Sequence, residues 1–168
     1  TTSLIRVLLS FILTFLMACN PPQPNYQHDI GYIDPVTAIG DKAFKPCYED
    51  FILQYYNTVP AKGFKAGKKE LRKQVLDQFK MIPGNKDSGY LTFRFVVNCK
   101  GEAGRYEIFE NDLDYRPTQF DAELKNQLFE ITQQLKEWTP IFIEEEPHDY
   151  YMYLTYRFKN GELLEILP

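Results

Sequence analysis

The chain has few of the residues that carry enzyme chemistry. Its 168 residues include two histidines, His28 and His148, and neither a Cys-x-x-Cys nor a His-Glu-x-x-His pattern occurs. Beyond the first eighteen residues Ser88 is the one serine, and no Gly-x-Ser-x-Gly surrounds it. These absences weigh against zinc and serine hydrolases. We therefore predict a non-catalytic protein with no catalytic residue and no small-molecule cofactor.

An excess of positive charge is also lacking. Lysine and arginine number 19 against 23 acidic residues, for a formal net charge of −4. This balance argues against nucleic acid as a partner. Positive charge nevertheless gathers on one predicted helix, which we interpret as a solvated face, with contact to anionic lipid or an acidic partner as the alternative. Its members are Lys65, Lys68, Lys69, Arg72 and Lys73.

One acidic stretch is a candidate for metal binding. Glu144, Glu145 and Glu146 are followed closely by His148 and Asp149. A calcium site, however, needs six or more oxygen ligands that converge on the ion. We interpret the stretch as a solvated acidic loop and predict no metal site.

Long apolar runs are absent except near the N-terminus. Residues 7–17 are apolar apart from Ser10 and Thr14, and Arg6 precedes them. Eleven residues suit the apolar region of a signal peptide and are too few to span a bilayer. The run ends in Leu-Met-Ala-Cys at residues 16–19, which matches a lipobox. The sequence predicts a lipoprotein signal peptide over 1–18 and lipidation of Cys19, and the alternative is a short transmembrane or buried helix.

Residues 19–46 are predicted to be the lipidated cysteine followed by a proline-rich tether and arm. Prolines stand at positions 21, 22, 24, 35 and 46, with little apolar periodicity between them. Two or three acyl chains on Cys19 would hold the protein firmly on a membrane. Asn20, and not aspartate, follows the cysteine, and no acidic cluster comes next. We therefore expect an outer-membrane anchor with the protein on the periplasmic face.

Once Cys19 is acylated, two cysteines remain. Cys47 and Cys99 form an even pair in an oxidising compartment, where disulfides are stable. We predict that they are bonded to each other, and the alternative is two buried free thiols.

Three segments have apolar residues three or four positions apart, as in helices. They cover residues 47–57, 66–80 and 120–138. The last begins near a Thr118–Asp121 capping pair and is ended by Pro140. Its apolar stripe continues to Trp138, which we assign to the core in preference to ligand stacking.

Four segments alternate between apolar and polar residues, as in half-buried strands. They cover residues 90–97, 105–109, 150–159 and 162–167, and Asn160-Gly161 predicts a hairpin turn between the last two. Tyr151 and Tyr153 point away from the apolar side of their strand and would form a binding patch or be covered by the N-terminal arm. A turn centred on Lys100-Gly101 predicts a register between the first two strands. It places Phe93 opposite Ile108, Phe95 opposite Tyr106 and Arg94 opposite Glu107.

This order of elements predicts an α+β fold in which helices pack on one face of an antiparallel β-sheet. The whole fold is expected to be a single domain over residues 47–168.

The stretch from about 63 to 158 resembles the C-terminal domain of the TonB family. A lysine-rich helix opens with Gly-Lys-Lys-Glu-Leu at 67–71, and a glycine leads into the strand of residues 89–98. A turn with glycine at 101 leads to a second strand, and the third helix ends in Trp-Thr-Pro at 138–140, like the family's Trp-x-Pro. The resemblance implies a periplasmic protein-binding module.

Domains of this family pair a sheet edge with a short segment of an outer-membrane receptor. This chain has a lipid anchor in place of a transmembrane helix, and its tether is too short to cross the periplasm, so we do not expect it to transduce energy. We predict edge pairing with an envelope protein. One alternative is a structural accessory subunit whose edge is covered by its own chain, and another is a hydrolase or metal-dependent enzyme. The candidate edge is Glu162, Leu163, Leu164, Glu165 and Ile166.

Overall fold

The structure, a computed structural model, describes residues 31–54 and 63–167. The chain divides into two units, Thr1–Tyr32 and Ile33–Pro168, and the second is the folded unit considered below. The predicted signal peptide, Cys19 and the tether as far as residue 30 lie outside the described residues. Within the part of the chain that is described, no helix is long and apolar enough to cross a membrane.

The folded unit is an α+β structure built on one five-stranded sheet. The strands of this sheet are β1 (Leu53–Gln54), β2 (Gly89–Val97), β3 (Ala103–Asn111), β6 (Tyr150–Lys159) and β7 (Glu162–Leu167). The helices are α1 (Gly67–Gln78) and α2 (Ala122–Gln134), and a separate two-stranded ribbon consists of β4 (Ile141–Ile143) and β5 (Glu146–His148).

The sheet order is β1-β6-β2-β3, with β7 pairing β6 as well. The predicted α+β class is confirmed, but the prediction of a purely antiparallel sheet is wrong. Strand β1 runs parallel to β6, with Leu53 opposite Tyr150 and Gln54 opposite Tyr151. The other strand pairs of the described sheet are antiparallel.

The main core lies between one face of this sheet and the two helices. Every second residue of β2 and β6 is buried there, which is the period that side chains follow along a strand. The helices contribute residues three or four positions apart, so that each buries one stripe. From the strands come Leu91, Phe93, Phe95, Met152, Leu154, Tyr156 and Phe158, and from the helices Leu71, Val75, Leu124, Leu128 and Ile131.

The opposite face of the sheet is covered at one end by the N-terminal arm. Ile33 and Ala38 pack there against Val96 and Tyr151 and form a second, smaller core. The arm is irregular, as predicted, and from Ile33 onward it packs against the sheet and belongs to the same compact unit as residues 47–168. Tyr151 was expected either to form a binding patch or to be covered by the arm. It is covered by the arm and buried.

The predicted helix over 47–57 is wrong where the chain is described. Residues 47–52 form turns and bends, β1 follows, and residues 55–57 lie outside the described residues. Long-range bonds override the helical spacing, because the Tyr48 and Leu53 N–H groups both donate to Asp149, at 2.7 and 2.9 Å. Phe51 stays half exposed, outside the two cores described above.

The other two helices form where predicted, with different ends. The cap of α2 is Asp121 and not Thr118, since the Asp121 carboxylate accepts from the Glu123 and Leu124 N–H groups. The helix also ends at Gln134, ahead of Pro140. Trp138 is nevertheless buried in the core, and its indole N–H donates to the Leu135 carbonyl at 2.7 Å.

The predicted register of β2 and β3 holds from Tyr90 to Arg94. Phe93 lies opposite Ile108 and Arg94 opposite Glu107, but the ladder shifts by one residue between Arg94 and Val96. Phe95 lies at this shift, opposite residues 105 and 106, and its ring contacts the Tyr106 ring with centroids 5.1 Å apart. The extra residue is accommodated at Arg105, whose φ is 54°, and such a bulge sharpens the local twist.

Candidate functional site

The outer edge of β3 is partly occupied by this chain's own backbone. Ile39 of the arm exchanges two hydrogen bonds with Tyr106, of 2.9 and 3.0 Å. Farther along the strand the Thr118 N–H donates to the Glu110 carbonyl at 3.0 Å. The bonds at these two positions leave β3 without the long bare edge that a partner strand would need.

The opposite edge of the sheet is formed by β7 and β1, which pair with different parts of β6. Strand β1 lies beside Tyr150 and Tyr151, and β7 lies beside residues 155–159. Within residues 31–54 and 63–167, no strand pairs with the outer side of β7. The candidate edge predicted from sequence, Glu162, Leu163, Leu164, Glu165 and Ile166, is therefore at a sheet edge.

The turn of the hairpin shows which backbone groups of β7 face outward. Asn160 and Gly161 have φ values of 51° and 80°, as in a two-residue turn whose flanking residues bond to each other. Glu162, opposite Lys159, thus directs its N–H and C=O toward β6, and Leu163 directs its own outward. After one extra residue at Leu164, the same alternation turns those of Ile166 outward.

Core packing and charge hold β7 in place. Ile166 is 3% exposed and Leu163 packs against the main core. The Glu165 carboxylate lies 3.1 Å from the Arg157 guanidinium on β6, and this bond raises the pKa of Arg157. Glu162 is exposed. The edge therefore combines a fixed apolar underside with polar backbone groups that face outward.

A disulfide and a buried carboxylate join the arm to the end of β2. Cys47 and Cys99 are bonded, the pairing that the sequence predicts. Asp149 is fully buried, and its two oxygens accept from the N–H groups of Tyr48 and Cys99, each at 2.7 Å. The carboxylate thus connects the same two segments as the disulfide, and we call this arrangement the Asp149 clamp.

Among the described residues, no three ligand atoms of the acidic stretch come within 4.8 Å of one another. Glu144 and Glu145 occupy the turn of the β4–β5 ribbon with φ values of 48° and 72°, and with Glu146 they are exposed. Asp149 is turned inward to the clamp. In the described part of the chain the one close group of possible metal ligands is Cys47, Cys99 and Asp149, within 4.8 Å of one another, and the disulfide already engages both sulfurs.

A cavity of about 590 Å³ lies beside the clamp. The arm, the turn after β2 and the end of α2 line it, and Cys47 is among its lining residues. Its charged residues are of both signs, with Lys45, Lys100 and Lys136 against Asp41 and Glu102. This mixture does not select one class of ligand.

Sequence reasoning missed two features of this region. Arg105, 7% exposed, makes two hydrogen bonds of 2.6 and 2.7 Å with Glu49, and these bonds fix the arm to the bulge of β3. Asp149 belongs to the clamp, whereas the sequence pattern places it in an acidic loop. Neither residue has a local pattern that could have revealed it, because each partner lies at least fifty positions away.

The predicted positive face of α1 is exposed. Lys68, Lys69 and Arg72 point to solvent, and Lys73 pairs with Asp77 one turn along the helix at 2.7 Å. Such surface pairs contribute little to stability. The face is therefore available for contact.

Comparison of the chain with protein-family models, with curated proteins and with solved structures finds no match.

Proposed function

We propose that this chain is a lipid-anchored, non-catalytic protein-binding module on the periplasmic face of the outer membrane, similar in type to the C-terminal domain of the TonB family. It binds an envelope protein by pairing a strand of that partner with β7. The observation that carries the proposal is the difference between the two edges of the sheet. The β3 edge is bonded to Ile39 and Thr118 of the same chain, and the outer side of β7 carries no paired strand among the described residues.

The packing of β7 suits it to strand addition. In that mode of recognition, main-chain hydrogen bonds provide affinity and side-chain pockets provide specificity. Leu163 and Ile166 direct their backbone groups outward while their side chains pack inward, so that a partner can pair without disturbing the core. The edge is also short and carries an extra residue at Leu164, which limits pairing to a short segment and discourages aggregation.

The anchor and the disulfide support the proposed location. A lipid on Cys19 keeps the domain at a membrane, and a bonded Cys47–Cys99 pair belongs to an oxidising compartment. Cys19→Ser in the full chain should yield an unprocessed or soluble protein while leaving β7 intact. Normal processing and membrane partition of that variant would contradict the anchor alone, and not the edge.

A structural accessory subunit is the second candidate. The bonds of Ile39 and Thr118 to β3 favour it, because they show that this fold covers one sheet edge with its own chain. That role predicts an assembly that does not depend on the outward backbone groups of β7.

Photocrosslinking in cells tests which candidate is correct. A photoreactive amino acid replaces Glu162 in the full lipidated chain, and the matched control carries it at Asn126, an exposed position on α2. We expect one dominant adduct at Glu162 and none at Asn126. Equal adducts at both positions, or none at Glu162, would contradict pairing at β7.

A proline substitution then tests the backbone directly. Leu163→Pro removes an outward N–H, and Leu163→Ala shortens the same side chain but keeps that N–H. We expect the proline variant to lose the adduct and the alanine variant to retain it, with circular dichroism confirming that both are folded. If both variants keep the adduct, the accessory-subunit role is favoured. If the proline variant unfolds, the comparison of adducts at Glu162 and Asn126 still decides between the two candidate functions.

A further inference from the structure

Exposed aromatic and aliphatic side chains gather beside the β4–β5 ribbon. Tyr48 and Phe51 both contact the His148 ring, with centroids 5.1 and 5.6 Å apart. They are 43% and 52% exposed. We call Tyr48, Phe51 and His148 the aromatic patch. Beside it on β4, Ile143 is 38% exposed and points to the same face of the ribbon as His148, because His148 pairs with Ile141 two positions before Ile143. Large apolar side chains that remain together on a surface are typical of an interaction site.

Exposed acidic residues outnumber basic ones around the aromatic patch. The segments 46–54 and 141–154 contain no lysine or arginine, and Asp50 and the glutamates at 144–146 are exposed there. Positive charge enters this region through Lys45, just before the first segment, and through Arg105, which is paired with Glu49. The unpaired excess is therefore acidic, and it is complementary to a partner that carries positive charge and an apolar group.

The positive face of α1 on the same molecule has that composition. Lys69, Arg72, Lys73 and Leu76 lie three or four positions apart and so share one side of the helix. Leu76 is 42% exposed. We call this side, together with Lys68, the basic stripe. Within residues 31–54 and 63–167, no ion pair joins Lys68, Lys69 or Arg72 to a carboxylate.

We propose that the aromatic patch of one copy binds the basic stripe of a second copy, so that the protein associates with itself head to tail. Leu76 of the second copy would meet the exposed rings, and its cations would meet the glutamates of the ribbon. Because the two surfaces differ, the contact is heterologous, and each copy retains one surface for the next. This association does not involve the backbone of β7.

Carbodiimide crosslinking locates the contact. The full chain is prepared in detergent in ¹⁴N and ¹⁵N forms, mixed, and treated so that carboxylates within reach of lysines become amide-linked. Mass spectrometry then reads the linked peptides, and a pair with mixed labels must come from two copies. We expect mixed pairs that join Glu144–Glu146 to Lys68 or Lys69. Mixed pairs that map elsewhere, or none, would overturn the proposal.

Charge reversal provides a second and independent test. One variant carries Glu144→Lys and Glu145→Lys, and the other carries Lys68→Glu and Lys69→Glu. Each is expected to associate at least tenfold more weakly than wild type when analysed alone by light scattering in detergent. An equimolar mixture pairs the intact patch of one variant with the intact stripe of the other, and the two altered surfaces again carry opposite charges, so the mixture should recover association.

The matched control carries Glu130→Lys and Glu137→Lys, which change the net charge equally at exposed positions outside both surfaces. It should associate like wild type. A wild-type chain that stays monomeric, a mixture that fails to recover association, or a control that behaves like the ribbon variant would each refute the proposal. If the aromatic patch binds a different basic protein and not a second copy, the wild-type chain would stay monomeric.

Discussion

Replacing Asp149 with asparagine should destabilise the fold far more than a typical single substitution. Asp149 is fully buried, and its two oxygens accept backbone N–H bonds of 2.7 Å from Tyr48 and Cys99. Asparagine has one acceptor oxygen and directs an amide group at the second N–H. It keeps the volume of the side chain, so the change removes hydrogen bonding and charge without leaving a cavity.

The magnitude follows from those two bonds. A hydrogen bond to a charged group contributes about 1.5–3 kcal/mol, and a buried donor left without an acceptor costs about 1–3 kcal/mol. We therefore expect Asp149→Asn to lower the free energy of unfolding by about 3 kcal/mol. In a unit of this size that loss corresponds to a fall of roughly 10 °C in the midpoint of thermal unfolding.

Urea unfolding of the full chain, followed by far-ultraviolet circular dichroism, measures the effect. The matched control is Asp50→Asn, which removes the same charge from an exposed position nearby and should change stability by less than about 0.5 kcal/mol. The clamp also predicts that Asp149→Asn and loss of the disulfide are not additive, because both join the same two segments. An Asp149→Asn effect as small as that of the control would refute the clamp.

Two other predictions concern the disulfide and the buried tyrosines. Cys47→Ser with Cys99→Ser should lower the free energy of unfolding by about 4 kcal/mol, because the bond closes a loop with a sequence separation of 52. Alkylation of the denatured, non-reduced protein should label neither cysteine, and two labelled cysteines would contradict the bond. Burial raises the pKa values of Tyr106 and Tyr156 well above the usual 10. Their contribution to stability is therefore complete below about pH 10 and is lost as the pH rises further, since the unfolded chain releases protons that the folded chain retains. In an alkaline titration, the tyrosinate absorbance of Tyr106 and Tyr156 should appear only as the protein unfolds. If all tyrosines ionise while the protein is still folded, the prediction is contradicted.

The spacing of apolar and turn residues was sufficient to predict the elements whose conformation is set by their own residues. Strand β6 and the Asn160-Gly161 turn lie where the alternation and the turn residues predict them. The same holds for the buried stripe of α1, where Leu71 and Val75 are one turn apart. In these segments the periodicity of the backbone and the burial of side chains favour the same conformation.

Local pattern failed where distant residues decide the conformation. Residues 47–52 have helical spacing, yet the disulfide and the bonds to Asp149 hold them in turns beside β6. The bulge at Arg105 likewise depends on Glu49, 56 positions earlier in the chain. The pattern within one segment carries no information about a partner in a distant segment. The two missed residues, Arg105 and Asp149, both depend on such distant partners.

The two proposed contacts differ in physical origin, and ionic strength therefore separates them. Pairing at β7 uses neutral backbone groups and an apolar underside, so its strength should change little with added salt. Contact between the aromatic patch and the basic stripe depends on exposed charges, whose interactions are screened over about 8 Å at physiological ionic strength and over about 3 Å in 1 M salt. A membrane anchor would favour self-association, because it confines all copies to one surface and raises their effective concentration. Self-association should then be strongest for the anchored chain at low salt, and the Glu162 adduct should persist when added salt has dispersed the copies.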